Sequence, residues 1–162
     1  MANSKIHSGH IEVAVANLLD YTVYTIVPNV SHGLSFNHEC DLLCLDKKNR
    51  FTEVEIKISI ADLKADFKKK HGHKSKYIGR LIYAFPEEML EKALPLIPEK
   101  FGVIIVKTIQ PKTPTGHVYY KAFWFRQCNH DKDAVEVPAP MIRGFMRLGC
   151  MRIWSLKKHN NG

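Results

Sequence analysis

Residues 40–59, CDLLCLDKKNRFTEVEIKIS, constrain the fold more than any other part of the chain. The first half, 40–45, is short and almost wholly apolar, as in a strand that is covered on both faces. The second half alternates, with apolar side chains at even positions and Glu53, Glu55 and Lys57 at odd positions. Because successive side chains of a strand point to opposite faces, this pattern predicts a β-hairpin with a row of charge on one strand.

The hairpin would bring two carboxylates together. If Leu45 pairs with Phe51 across the turn, the same register places Asp41 opposite Glu55, and such pairs share a face with Cβ atoms about 4.5–5.5 Å apart. Carboxylates held this close repel each other unless a cation lies between them, and Mg²⁺ or Mn²⁺ prefers such oxygen ligands. Lys57 on the same face could polarise a water or neutralise charge on a phosphate. We therefore expect a metal-dependent site that cleaves phosphodiesters.

Two simpler interpretations remain open at this point. The charged positions could be the wet face of an amphipathic strand. In the same register Glu39 lies opposite Lys57, so the two could form a surface ion pair, which is worth only about 0–1 kcal/mol.

The rest of the chain predicts one mixed α/β domain over residues 1–162, with the element order α-β-β-β-α-β-α-β-β-α. Ser8 is the expected N-cap of the first helix. The last helix is basic, and we expect Met141, Phe145, Leu148 and Trp154 on its apolar side. Helices are predicted at 9–20, from 61, at 86–96 and at 139–156, and strands at 21–28, 40–45, 51–59, 80–85, 101–107 and 117–125.

The charge balance points to a polyanionic partner. Lysine and arginine number 24 against 16 aspartates and glutamates, a formal charge of +8, and such a surplus favours nucleic acid. Basic residues crowd the segment after the charged strand, where phosphate contact or a solvated surface are the two interpretations. Ser59 could bind a phosphate or cap the following helix. The residues predicted to contact nucleic acid are Ser59, Lys68, Lys69, Lys70, His73, Lys74 and Lys76.

Other classes of protein find little support. No apolar run is long enough to cross a bilayer, and the N-terminus has no export signal, so we expect a cytoplasmic protein without membrane association. Cys40, Cys44, Cys128 and Cys150 include no C-x-x-C pair, which favours reduced thiols over disulfides or structural zinc. No motif that reads bases is present.

An aspartate on one strand, a turn and then Glu55-Ile56-Lys57, between two helices, resembles the PD-(D/E)XK nuclease superfamily over residues 9–85. The resemblance implies a restriction-endonuclease-like αβββαβ core. It also implies Mg²⁺ or Mn²⁺ bound by Asp41, Glu55 and the carbonyl of Ile56, with Lys57 positioning the attacking water. Glu12 would complete the metal shell, unless it is an exposed glutamate at a helix start. The chain has His38-Glu39-Cys40 where the superfamily usually has proline.

Two longer stretches, EVEIKISIADLKADFKKK and KYIGRLIYAFP, are similar to the MmcB-type DNA-repair branch of that superfamily. This resemblance implies DNA as partner, and a homodimer is an option because many single-site relatives dimerise to cut two strands. The alternatives are an inactive DNA-binding protein with the nuclease fold and an interaction protein with an unrelated α/β fold. Matching positions are Glu55, Lys57, Ser59, Asp62, Asp66, Tyr77 and 83–86, where Asp62 and Asp66 could orient lysines or lie on a solvated helix face.

Overall fold

The computed structural model describes residues 6–30, 34, 36, 38–69, 75–111, 113 and 116–160. The predicted element order is confirmed, as is the mixed α/β class. The helices are α1 (Ser8–Leu19), α2 (Ile60–Phe67), α3 (Leu90–Ala93, between 3₁₀ turns at Glu87–Met89 and Leu94–Leu96) and α4 (Ala139–Asn160). The strands are β1 (Thr25–Val30), β2 (Cys40–Leu45), β3 (Phe51–Ile56), β4 (Ile78–Pro86), β5 (Gly102–Ile109) and β6 (Tyr119–Arg126).

Within these ranges the six strands form one mixed sheet in the order β1-β2-β3-β4-β5-β6. The first three strands are antiparallel, β3, β4 and β5 run parallel, and β6 returns antiparallel to β5. Parallel neighbours need a crossover, which α2 provides between β3 and β4. The charged strand β3 is therefore an interior strand, at the junction of the antiparallel and parallel halves.

Helices cover both faces of the sheet. On one face α1 packs through Ile11 and Val15 against Leu42 and Val54, in one apolar cluster. On the other face, Phe145 of α4 packs with Phe51, while α2 and α3 cover β4 and β5 in a separate cluster. Since side chains alternate along a strand, Glu53 and Glu55 lie on the same face as Phe51, between the α4 and α2 clusters.

The start of the sheet differs from prediction. The first strand begins at Thr25 rather than residue 21, because the Asp20 side chain accepts hydrogen bonds from the amide and hydroxyl of Thr22 and holds residues 21–24 in a turn. Pro28 does not end the strand, since β1 is an edge strand and tolerates a missing N–H. Ser8 is the first helical residue, and His7 is the N-cap instead.

The apolar side of α4 is only partly as predicted. Phe145 is fully buried and Met141 and Leu148 are partly buried, but Trp154 is 64% exposed, so its predicted place on the buried face is wrong. Residues 151–159, the last part of this 22-residue helix, are all exposed. Among the described residues, no helix combines the length and apolarity needed to cross a bilayer.

Candidate active site

The hairpin has the predicted register. Leu45 pairs with Phe51 and Leu42 with Val54 in antiparallel β2 and β3, where the paired register ends. The charge of Asp41 raises the pKa of Glu55, so these two carboxylates lie near each other beyond that point. The amide of Ile56 donates a hydrogen bond to Asp41 Oδ2 at 2.7 Å. The Asp41 carboxylate is therefore fixed at the end of β3, next to the charged row.

The turn that sets this register is held by one aspartate. Asp46 Oδ1 accepts the amides of Lys48 and Arg50 at 2.8 and 3.0 Å, and its Oδ2 accepts the Arg50 guanidinium. Because a slip of one residue would move every side chain of a strand to the other face, this turn determines which residues share the site.

The charged row is buried rather than wet. Glu53, Glu55 and Lys57 are 0%, 2% and 4% exposed, which excludes the interpretation of a solvated strand face. Burying a charge without a partner is costly, so the row persists only through specific pairing.

Lys57 lies at the centre of that pairing. Its Nζ is 2.6 Å from Glu55 Oε2 and 3.2 Å from Asp66 Oδ1, so these acids, rather than Glu39, are its partners. Asp66 Oδ1 is also 2.7 Å from Lys69 Nζ, and the Tyr83 hydroxyl donates to Asp66 Oδ2 at 3.1 Å. Two cations and a phenol therefore surround one carboxylate of α2.

The interpretation of Asp66 as part of a solvated helix face is wrong, since its residue exposure is 3%. Asp66 follows Leu63 by three positions, and residues at this spacing share a helix face. Leu63 is fully buried, so its position was the signal that could have placed Asp66 inside. Asp62, four residues earlier than Asp66, is exposed as expected.

Ionisation equilibria follow from this crowding. The pKa of Glu55 is raised to about 8, chiefly by burial and also by Asp41 and Glu53, while the charge of Lys57 opposes the rise. Burial also raises the pKa of Asp41, against the hydrogen bond from Ile56 and the charge of Lys57. For Lys57, burial works against the ammonium, but Glu55 and Asp66 outweigh it and raise its pKa. The site therefore holds more acid than its single buried lysine neutralises.

Glu12 lies on α1, the helix that packs on the face of the sheet opposite to Phe51 and Glu55. It is partly buried on α1, and burial together with the charge of Asp41 raises its pKa, while a hydrogen bond with Asn29 opposes the rise. In the described part of the chain, however, a different group of possible metal ligands comes together. The ligand atoms of His38, Cys40 and Glu53 all lie within 4.8 Å of one another. The predicted metal ligands are neighbours, but Glu12, Asp41 and Glu55 do not converge on one point.

The residues predicted to contact nucleic acid have varied surroundings. Ser59 accepts the Asp62 amide at 3.1 Å and caps α2, in agreement with the capping interpretation. Lys68 and Lys76 are exposed, and the side chain of Lys69 is 53% exposed while it pairs with Asp66. Lys70, His73 and Lys74 lie outside the described residues.

A cavity of about 970 Å³ opens beside Asp66 and Tyr83. Arg80 and His130 are two of the residues that line it. Arg80 Nε and His130 Nε2 are buried, and neither atom makes a hydrogen bond within the described structure. This cavity cannot be predicted from the sequence, because its walls come from distant segments of the chain. Its lining includes the basic residues Lys69, Lys76, Arg80 and Lys100 and the aromatic residues Phe67 and Phe101.

Fold and site together define a mixed α/β protein with a buried carboxylate–lysine cluster at the end of an antiparallel hairpin. The family model described as DNA repair protein MmcB-like matches residues 4–159. The chain belongs to this MmcB-like family of DNA repair proteins.

A solved structure shows the same fold. It is the SPO1766 protein of unknown function from Silicibacter pomeroyi, at 20% identity and a TM-score of 0.68, with 97% of this chain and 96% of that chain covered. Comparison with curated proteins gives no match.

Proposed function

We propose that the protein is a Mg²⁺-dependent deoxyribonuclease of the PD-(D/E)XK type that acts in DNA repair. The observation that carries the proposal is the buried Lys57, held between Glu55 and Asp66 next to the carboxylate of Asp41. The MmcB-like family of DNA repair proteins supports the biological setting.

The donor set suits a hard divalent cation. Asp41 and Glu55 offer carboxylate oxygens, and the backbone carbonyl of Ile56 lies between Glu55 and Lys57 in sequence; oxygen ligands of this kind select Mg²⁺ or Mn²⁺. A bound cation would polarise the phosphate and lower the pKa of a water. Asp41, Glu55 and Ile56 would hold it, with Glu12 as an outer contributor.

Lys57 would act as a fixed positive charge. Glu55 and Asp66 keep its pKa above the usual value against burial, so the group stays protonated and donates hydrogen bonds to a phosphate oxygen or to the attacking water. Asp66 is itself held by Tyr83. Stabilising charge that develops in a transition state is most effective when donors are already oriented, as here.

DNA would lie over the basic surface that adjoins this cluster. Lys69, Lys76 and Arg80 line the cavity beside Asp66, and Lys68 is exposed next to Lys69 in the chain. Contacts to phosphates give affinity without reading bases, so we expect selectivity for DNA structure, such as a fork, flap or damaged duplex, rather than for sequence.

A nuclease-fold DNA-binding protein without turnover is the second candidate. It is favoured by the 2.6 Å contact between Lys57 Nζ and Glu55 Oε2, which occupies one of the carboxylate oxygens that a cation would need. Under this hypothesis the ion pair between Lys57 and Glu55 takes the place of the metal, and the basic surface binds DNA without cutting it.

A cleavage assay separates the two candidates. Supercoiled, linear, single-stranded and branched DNA are incubated with the protein and Mg²⁺ or Mn²⁺. We expect cleavage by the wild type, loss with Asp41→Asn or Lys57→Ala, and retention with Glu39→Gln, which removes an exposed acid two residues from Asp41. DNA binding by a wild type that cuts none of these substrates would support the second candidate instead.

A further inference from the structure

A second cluster lies beside the candidate active site and has different chemistry. His38 Nε2 is 2.8 Å from Glu53 Oε1 and 3.6 Å from Cys40 Sγ. The ligand atoms of these three residues all lie within 4.8 Å of one another. They combine a nitrogen, a sulfur and an oxygen, whereas Asp41 and Glu55 offer oxygen alone.

The cluster is buried, with aromatic and apolar side chains on one side of it. Cys40 and Glu53 are 0% exposed, and the His38 side chain is 9% exposed. Cys40 packs in the apolar cluster that includes Leu43 and Phe51, and Phe36 stacks on the His38 ring with centroids 6.0 Å apart. His38 is therefore the member of the cluster nearest to solvent.

The distance between the sulfur and the imidazole nitrogen matches a tetrahedral site. Zinc binds sulfur at about 2.3 Å and imidazole nitrogen at about 2.0–2.1 Å, which places these two atoms about 3.6 Å apart at a tetrahedral angle. The distance from Cys40 Sγ to His38 Nε2 is 3.6 Å. The His38 to Glu53 distance of 2.8 Å is that of a hydrogen bond, and would have to lengthen to about 3.4 Å for an ion to replace the shared proton at the zinc–ligand distances.

We propose that His38, Cys40 and Glu53 form a binding site for Zn²⁺ or a similar borderline-soft divalent ion, distinct from the Mg²⁺ site. Thiolate and imidazole ligands favour zinc and disfavour magnesium. Three protein ligands leave the fourth position to water, as in open zinc sites. The ion ties the segment before β2 to the middle of β3, and so fixes the strand end that carries Asp41. The site stands on these residues alone and does not depend on nuclease activity.

Cobalt(II) substitution tests the site without any activity assay. Metal-free protein is titrated with Co²⁺ while absorption is recorded, because a cobalt–thiolate bond gives a charge-transfer band in the near ultraviolet. We expect a band that saturates at one ion per chain and disappears when Zn²⁺ is added. Cys40→Ser and His38→Gln should abolish it, and should weaken Zn²⁺ binding by more than the roughly 10–100-fold that loss of a ligand's hydrogen-bonding neighbour costs.

Controls on the same strand separate this site from others. Cys44→Ser removes a second buried thiol of β2, and Asp41→Asn removes a proposed Mg²⁺ ligand; both should keep the band. Circular dichroism of each variant verifies folding. A wild type without the band, or a band that survives Cys40→Ser and vanishes with the exposed Cys150→Ser, overturns the proposal. Neither result would bear on Mg²⁺-dependent cleavage, which the Asp41→Asn and Lys57→Ala variants test.

Discussion

Asp66 Oδ1 lies 3.2 Å from Lys57 Nζ, and both side chains are almost fully removed from water. The contact joins α2 to the end of β3, only nine positions earlier in the chain. The lysine proposed to meet the phosphate is thereby oriented by a residue that does not need to touch DNA.

Removing the Asp66 charge should destabilise the fold. Asp66→Ala leaves Lys57 with one acidic partner in a buried site, and breaking a buried pair typically costs about 3–5 kcal/mol. Urea unfolding monitored by circular dichroism measures the change. Asp62→Ala is the matched control, because Asp62 lies on the same helix and is exposed, and it should change stability by less than about 1 kcal/mol. Equal effects of the two substitutions would show that the buried contact does not matter.

The Tyr83 hydroxyl should contribute to stability through its hydrogen bond to Asp66. Tyr83→Phe removes a donor 3.1 Å from Asp66 Oδ2, and a hydrogen bond to a charged group is worth about 1.5–3 kcal/mol. A double-mutant cycle with Asp66→Asn measures the coupling. Tyr77→Phe, in a different apolar cluster, should lose little and be additive with Asp66→Asn. Full additivity of Tyr83→Phe with Asp66→Asn would contradict the contact.

Stability should depend on pH through Glu55. Its pKa is raised from the ordinary 4.5 to about 8, so between these values the folded state holds a proton that the unfolded state has released. Stability is lost with rising pH wherever the folded state binds more protons. Without divalent ions, the free energy of unfolding should therefore fall between pH 5 and pH 8. The slope should be about 2.303RT per pH unit, the value for one proton.

Glu55→Gln should remove this contribution, since an amide does not titrate. The difference in unfolding free energy between wild type and variant, measured in urea across the same pH range, isolates Glu55 from other groups. A difference that stays constant with pH would mean that Glu55 is ionised throughout.

The basic surface should give a salt-dependent contribution to DNA affinity. Lys76→Ala and Lys68→Ala remove exposed ammonium groups, and each lost phosphate contact reduces the slope of log K against log salt by about 0.9 on duplex DNA. Fluorescence anisotropy over a salt series measures the slope. Lys47→Ala is the control, because Lys47 lies in the hairpin turn, at the other end of β2 and β3 from Asp41 and Glu55. An equal slope for Lys47→Ala and Lys76→Ala would place the DNA elsewhere.

The sequence predicts those features that local patterns encode. Alternation in β3, and a turn of fixed length, suffice to give the hairpin register from Leu42 to Leu45 and to bring Asp41 and Glu55 near each other. The burial of Asp66 was not anticipated, because it depends on how α2 packs beside β4. The 64% exposure of Trp154 does not follow from helical periodicity, which does not show how much of a helix packs against the sheet. His38 and the cavity residue His130 depend on contacts between distant segments, which periodicity does not report.

Pro28 and Asn29 have a consequence for how copies of this chain meet. They lie on the edge strand β1, where Pro28 lacks the N–H that an arriving strand would need and Asn29 has a φ of 51° that interrupts the extended backbone. Exposed strand edges are templates for intermolecular pairing and aggregation, and proteins blunt them with such residues. The sheet is therefore capped on the side of the hairpin, and self-association through a continuous intermolecular sheet is disfavoured at this edge.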